Sequence, residues 1–226
     1  MIKIAILISG RGSNMAAILN AIKIRNLNCH VVCVIANKKT EGFEFATRLN
    51  IPTKLIEKSK FDKKENYEAM LANELLEYRP DWILLAGYMV ILSSNFIKCF
   101  KGKIINIHPS LLPKFRGLNT HDRALKSGEN RHGTTVHLVT SELDGGPIIA
   151  QSEIKVLPTD TSETLEIRIL EKEHILYPLI LESLIEKYLE IKSSKVIWHK
   201  IPPLFNTKQK GTEVSIRPYL KIKNLL

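Results

Sequence analysis

The chain has little cysteine and no long apolar run. Its three cysteines, Cys29, Cys33 and Cys99, are odd in number and show no C-x-x-C spacing, which excludes a disulfide framework and a cysteine zinc site. Lying in apolar stretches, they read as reduced, buried thiols. No stretch reaches the roughly 18 consecutive apolar residues of a membrane span, so no membrane partner is expected. The amino terminus enters a strand directly, without the charged and apolar regions of a secretory signal, which reads as cytoplasmic. His121, His132, His137 and His174 lack ligand spacing such as H-E-x-x-H, so no metal is expected. These histidines are expected at the surface or behind a functional site. Repeats and low-complexity segments are also absent.

What is present suffices for a globular core: 226 residues, 44% of them hydrophobic, with one domain as the default. Basic residues outnumber acidic ones 33 to 23, a net charge of +10. Residues 191–226 hold seven lysines and Arg217 against the single acid Glu213, so +7 sits in the tail and +3 on the body. A basic tail attracts polyanions, yet it contains no recognisable RNA or DNA module, and nucleic acid is not expected as a partner. The chain divides into a body, 1–190, and a basic extension, 191–226, that is not an independent domain.

The body alternates strand and helix. Residues 1–9 form an apolar strand, 10–14 a glycine-polar turn, and from Met15 the residues Ala16, Ile18, Leu19 and Ile22 fall at helical spacing. Strands follow at 30–36, 51–56, 82–86 and 104–107, with a short helix at 43–49. A further helix, to about residue 77, is signalled by Asp62 with Glu65 three residues on. Two more strands, 133–139 and 148–154, flank a Gly-Gly-Pro turn. A last helix opens at Asp160, with Glu163 three residues later, and runs to about residue 188 with a bend expected near Pro178. Its inward stripe is Leu165, Ile169, Glu173 and Leu176; a carboxylate there is costly unless paired. The fold class is therefore α/β, a doubly wound, mostly parallel sheet with helices on both faces, a Rossmann-like first half and a mixed later edge.

Three constellations carry chemistry. Residues 104–116 read I-I-N-I-H-P-S-L-L-P-K-F-R. Alternation puts Asn106 and His108 on one face and Ile105 and Ile107 on the other, and the carboxyl end of a parallel strand borders the ligand crevice. Pro109 and Pro113 stiffen the exit. Asp144 precedes Gly145-Gly146-Pro147, where backbone can approach a ligand and the carboxylate can reach a strand-end histidine; a turn aspartate bonding its own backbone fits the same residues. The third constellation, Gly10-Arg11-Gly12-Ser13-Asn14, follows the first strand and opens the first helix. It is not the dinucleotide fingerprint, because Met15 replaces the third glycine and Asn37-Lys38-Lys39 offers no acid to a ribose. Nor is it a Walker loop. A small phosphate on the helix amino terminus and a plain turn with Ser13 or Asn14 as N-cap fit it equally. An amide, a histidine and a carboxylate, without an activated Ser, Cys or Lys, suit direct attack by a substrate amine.

Together, G-R-G-S-N, N-I-H-P-S-L-L-P, T-T-V-H and E-L-D-G-G-P resemble the phosphoribosylglycinamide formyltransferases of purine synthesis over about residues 1–190. The resemblance implies the formyltransferase fold and a reaction in which the amine of glycinamide ribonucleotide attacks the formyl carbon of the co-substrate 10-formyltetrahydrofolate. It implies that Asn106 and His108 stabilise the oxyanion, and that Asp144 keeps His108 protonated or relays protons through water. It assigns Gly12, Ser13 and Asn14 to the phosphate and Glu173 to the ribose and glycinamide end. Met89, Val90, Ile91 and Leu92, with Asn106 and Thr140, Ser141, Glu142, Leu143 and Asp144, would cradle the folate, and Lys64 would meet its glutamate tail in place of the family's frequent arginine. Asn119 stands where many members have histidine. Members occur as monomers and as homodimers.

The N-x-H-P-S core and D-G-G also occur in methionyl-tRNA formyltransferase and formyltetrahydrofolate deformylase, and Phe115-Arg116-Gly117 leans toward the former. The tail's 36 residues are too few for that enzyme's extra carboxyl-terminal domain, and the deformylase carries an added amino-terminal domain. A catalytically silent RNA-binding protein on the same scaffold is the remaining alternative. Ile197-Trp198 with Leu204-Phe205 are expected to dock on the body or on a partner.

Overall fold

The computed structural model describes residues 1–192, 194–202 and 215–218. Its elements run β1 (Ile2–Ile8), α1 (Ser13–Ile24), β2 (Cys29–Ala36), α2 (Glu41–Arg48), β3 (Thr53–Leu55), α3 (Lys64–Tyr78), β4 (Trp82–Leu85) and α4 (Ser94–Cys99). They continue β5 (Ile104–His108), α5 (Thr120–Lys126), β6 (Arg131–Leu138), β7 (Ile148–Lys155), α6 (Ser162–Ile185), the hairpin β8 (Leu189–Lys192) and β9 (Lys195–Trp198), and β10 (Ser215–Pro218). One sheet has the order β10-β7-β6-β5-β4-β1-β2-β3. From β3 to β5 every pairing is parallel, and β6, β7 and β10 add antiparallel strands. The chain winds outward from β1 in both directions, so the switch point lies between β1 and β4, where a crevice opens beyond the strands' carboxyl ends.

The alternating residues of each strand feed two cores. Ile4, Ile6, Ile8, Ile105 and Ile107 pack with α1 and α6 on one face; Ala5, Leu7, Ile83, Leu85 and Ile104 pack with α3 and α4 on the other. At the switch point the Ser9 hydroxyl accepts the Met89 N–H at 2.8 Å, and the Ser9 N–H donates to the Gly87 carbonyl at 3.1 Å. Gly87 turns there with φ +73°, a region glycine enters at little cost. Tyr177 of α6, fully buried, brings its hydroxyl within 2.9 Å of the Ile105 carbonyl and 3.2 Å of the Leu85 carbonyl. Tyr177→Phe is expected to lower stability by about 1 kcal/mol, read as a shifted urea midpoint with an unchanged slope.

Two helix starts differ from expectation. The helix α3 begins at Lys64 with Lys63 as a cap that offers no side-chain bond, one residue too late for Asp62 and Glu65 to close a box. At α6 the box is made by Thr161 and Thr164, because Asp160 is engaged by the Leu157 N–H and Arg168. The helix runs unbroken through Pro178 and ends at Ile185, short of the expected 188. Cys29 and Cys33 are buried, with thiols pushed up to about 11 and about 12 by burial, whereas Cys99 is exposed on α4 against expectation. The β8–β9 hairpin straddles position 190 and rests on the first core, with Trp198 Nε1 donating to the Ile149 carbonyl at 3.3 Å. Leu204 and Phe205 lie outside the described residues. Among the described residues no helix is long and apolar enough to cross a membrane.

Candidate active site

A cavity of about 480 Å³ lies at the carboxyl ends of β4 and β5 and holds Asn106, His108 and Asp144 in its wall. The volume falls within the usual span of small-molecule sites. The hairpin register builds it: antiparallel pairing of β5 with β6 sets His137 opposite Asn106 and Thr135 opposite His108. Asp144 arrives on the turn between β6 and β7. A Cβ on Gly146 would sit 1.8 Å from the Leu138 carbonyl oxygen, so only glycine lets this turn close on its own strand.

Asp144 gathers three groups. Its Oδ2 accepts the Gly117 N–H at 2.8 Å and lies 3.4 Å from His108 Nδ1, and its Oδ1 lies 3.7 Å from His137 Nε2. His108 Nε2 meets the Phe115 carbonyl at 3.0 Å, so each ring nitrogen faces an acceptor. Asn106 Nδ2 lies 3.2 Å from His137 Nε2. His137 Nδ1 sits 2.9 Å from the Leu138 carbonyl, and burial holds the ring below the usual histidine range. A neutral His137 donating from Nδ1 keeps its Nε2 lone pair for one Asn106 amide proton, which orients the carboxamide and leaves its second proton for a ligand.

The expected folate residues Met89 to Leu92 and Thr140 to Asp144 all line the cavity. Val90 and Leu92 turn into the second core, while Met89 and Ile91, with Leu118 and Leu143, leave apolar surface at the mouth. Lys64 is not brought into the lining. It stands on the first turn of α3, 3.7 Å from Glu68, whose carboxylate takes the Ser93 N–H just past Leu92. Asn119 lines the cavity as the left-handed cap of α5, φ +56°, which asparagine tolerates. Its amide does not ionise near neutral pH, so no acid–base role carries to that position.

The G-R-G-S-N loop is not capped in the way a plain turn would be. Gly12, at φ +76°, is the N-cap of α1; no side chain caps the helix and no acid lies in its first turn. Gly42 of α2 packs so closely that a Cβ there would come within 2.7 Å of the Gly10 carbonyl oxygen. Gly12, Ser13, Asn14 and Glu173 are not part of the cavity's lining. Arg11 reaches toward the cavity, 3.9 Å from Glu166, which does line it. Asn14 Nδ2 donates to Glu173 Oε2 at 2.6 Å, so the acid on α6's inner face is paired.

Burial nevertheless pushes the Glu173 carboxyl up to about 7 from an ordinary 4.5. Between those values the folded state binds more protons than the unfolded chain, so this group costs stability as pH rises from 4.5 to 7, with a slope of at most about 1.4 kcal/mol per pH unit. Glu173→Gln should remove that part of the fall, measured as the difference between wild-type and variant urea midpoints at pH 5 and pH 7.5.

Two histidines expected at the surface or behind the site are closer than that, while His132 lies behind it as expected. His137 touches Asn106, and His121 lines the cavity. His132, almost fully buried, lies 3.2 Å from His121, and burial lowers both rings, His132 to about 4. The available signal was T-T-V-H, but its meaning depends on the register of β5 against β6. Among the described residues no cluster of three or more His, Cys, Asp or Glu could hold a metal.

Residues 2–181 match the formyl transferase family. The chain belongs to that family. It is 44% identical to the phosphoribosylglycinamide formyltransferase of Escherichia coli K12 over 79% of this chain and 84% of that protein. The structure of the phosphoribosylglycinamide formyltransferase of Coxiella burnetii superposes with a TM-score of 0.83 at 41% identity, covering 87% of this chain and 93% of the other. The glycinamide ribonucleotide transformylase 1 of Symbiobacterium toebii gives 0.84 at 37% identity, covering 88% and 95%.

Proposed function

We propose that this chain transfers the formyl group of 10-formyltetrahydrofolate to the amine of 5′-phosphoribosylglycinamide in purine synthesis. The observation that carries the reading is the meeting of Asn106, His108 and Asp144 at one wall of a cavity with an apolar mouth. A flat pteridine fits between the 89–92 and 140–144 segments, whose backbone groups offer donors and acceptors to its polar edge. The ribonucleotide lies toward α5 and α6, with its phosphate at the amino terminus of α1 and its ribose end near Glu173.

The amine nitrogen forms a bond to the formyl carbon, and the formyl oxygen takes up the electron pair. Asn106 donates to that oxygen, and His108 Nε2 donates to it in competition with the Phe115 carbonyl. Asp144, facing His108 Nδ1, offsets the imidazolium's charge. The carbon–nitrogen bond to the folate then breaks, and the proton shed by the amine passes, through Asp144 and water, to the leaving nitrogen. Tetrahydrofolate and formylglycinamide ribonucleotide result. The chemistry lies in the body, 1–190, and takes place in the cytoplasm.

A formyl-transfer assay at saturating folate, with glycinamide ribonucleotide and charged initiator methionyl-tRNA as rival acceptors, tests the reading. Formylation of the ribonucleotide alone is the expected result. Formylation of the tRNA alone would overturn it.

A further inference from the structure

A row of buried polar groups joins the loop before α1 to the strand that presents His108. Asn14 on α1 donates to Glu173 on α6 at 2.6 Å. Thr134 on β6 places its hydroxyl 3.4 Å from the other Glu173 oxygen and 3.0 Å from the His108 carbonyl. All four residues are more than nine-tenths buried. Three elements thus converge on a fourth through groups that water does not reach, where hydrogen bonds are strong and an unpaired group is costly.

The Thr134 hydroxyl has one proton and two acceptors. An ionised Glu173 competes with the His108 carbonyl for that proton; a protonated Glu173 donates to Thr134 Oγ1 instead, and the hydroxyl's own proton then goes to His108. Burial raises the carboxyl toward neutrality, and its hydrogen bonds to Asn14 and Thr134 act in the opposite direction. At the outer end, Asn14 Oδ1 is buried without a hydrogen-bond partner among the described residues, an acceptor left for a donor the protein does not supply. At the inner end, the His108 carbonyl also accepts the Ser110 N–H at 2.8 Å, so losing the Thr134 hydroxyl would not orphan it.

We propose that Thr134 is a positioning residue for formyl transfer, its hydroxyl tying the ribonucleotide-facing pair Asn14–Glu173 to the backbone that aims the His108 ring. This rests on the functional reading above and adds to it a residue outside the cavity lining. Because the tie spans both ends, its loss should disturb the ribonucleotide and the chemistry together and leave the folate alone.

The test is Thr134→Val, which keeps the shape and removes the hydroxyl, with Thr134→Ser to restore it and Thr134→Ala in reserve should the valine variant not fold. Expected for the hydroxyl-free variant are a kcat/KM for the ribonucleotide lowered about tenfold, shared between kcat and KM, and an unchanged folate KM. The serine variant should return to near wild-type values. Native ribonucleotide kinetics with only a lowered melting temperature would make Thr134 merely structural. An equal rise in folate KM would show general loosening and overturn the proposal as well. If the wild-type protein itself formylates no glycinamide ribonucleotide, the functional reading falls and this inference with it; wild-type transfer with an indifferent Thr134→Val removes only the inference.

Discussion

Replacing His108 with alanine is expected to lower kcat about 10³-fold, while the dissociation constant of the ribonucleotide changes by less than about threefold. The ring is a donor aimed from a strand end into the cavity, and a preorganised donor of this kind acts on the charge that develops during reaction more than on the ground state. Asn106 does not replace it, because one amide proton is held by His137 and the other already serves the same oxygen, and the Gly117 N–H is spent on Asp144. Asp144→Ala should also cost turnover, because it removes the anion 3.4 Å from His108 Nδ1 and the acceptor that fixes the 117 backbone. Residues acting as one unit do not lose additively, so the double variant should be little slower than the slower single one. Steady-state rates at saturation in both substrates, with calorimetric titration of the ribonucleotide, measure the split. Undiminished turnover in both single variants would remove the pair from the chemistry.

That expectation could be framed from sequence because the residues behind it obey local rules. Alternation along 104–108 sends Asn106 and His108 to one face whatever the rest of the chain does, and the strand–helix alternation up to β5 has a period that a one-dimensional pattern reveals. Glu173 stood out for the same reason, as a carboxylate in an otherwise apolar stripe. The features that escaped are short or non-local. The helices α4 and α5 are six and seven residues long, under two turns, and show too little periodicity to register. The partnership of His137 with Asn106 spans 31 residues and exists only through antiparallel register. Lys64 shows the limit from the other side: its i,i+4 relation to Glu68 is local, but whether α3's first turn borders the cavity is decided by how α3 packs on the sheet.

Ser13→Asp is expected to raise the ribonucleotide's KM about 100-fold and to leave the folate's KM unchanged, without loss of stability. The two halves of this prediction have opposite physical signs, which makes it discriminating. Ser13 is the first residue of α1, whose opening turn carries no acid and no side-chain cap. A carboxylate there meets the positive end of the helix and should stabilise the fold by about 0.3–1 kcal/mol. The same charge, however, stands where a phosphate would place its own, and like charges a few ångströms apart repel at a cost that the fold's small gain cannot offset. A melting temperature at or above wild type, together with the raised KM, therefore locates the anion at this helix terminus. An unchanged KM in a stable variant would mean that the phosphate is held elsewhere and that the loop is no more than a turn.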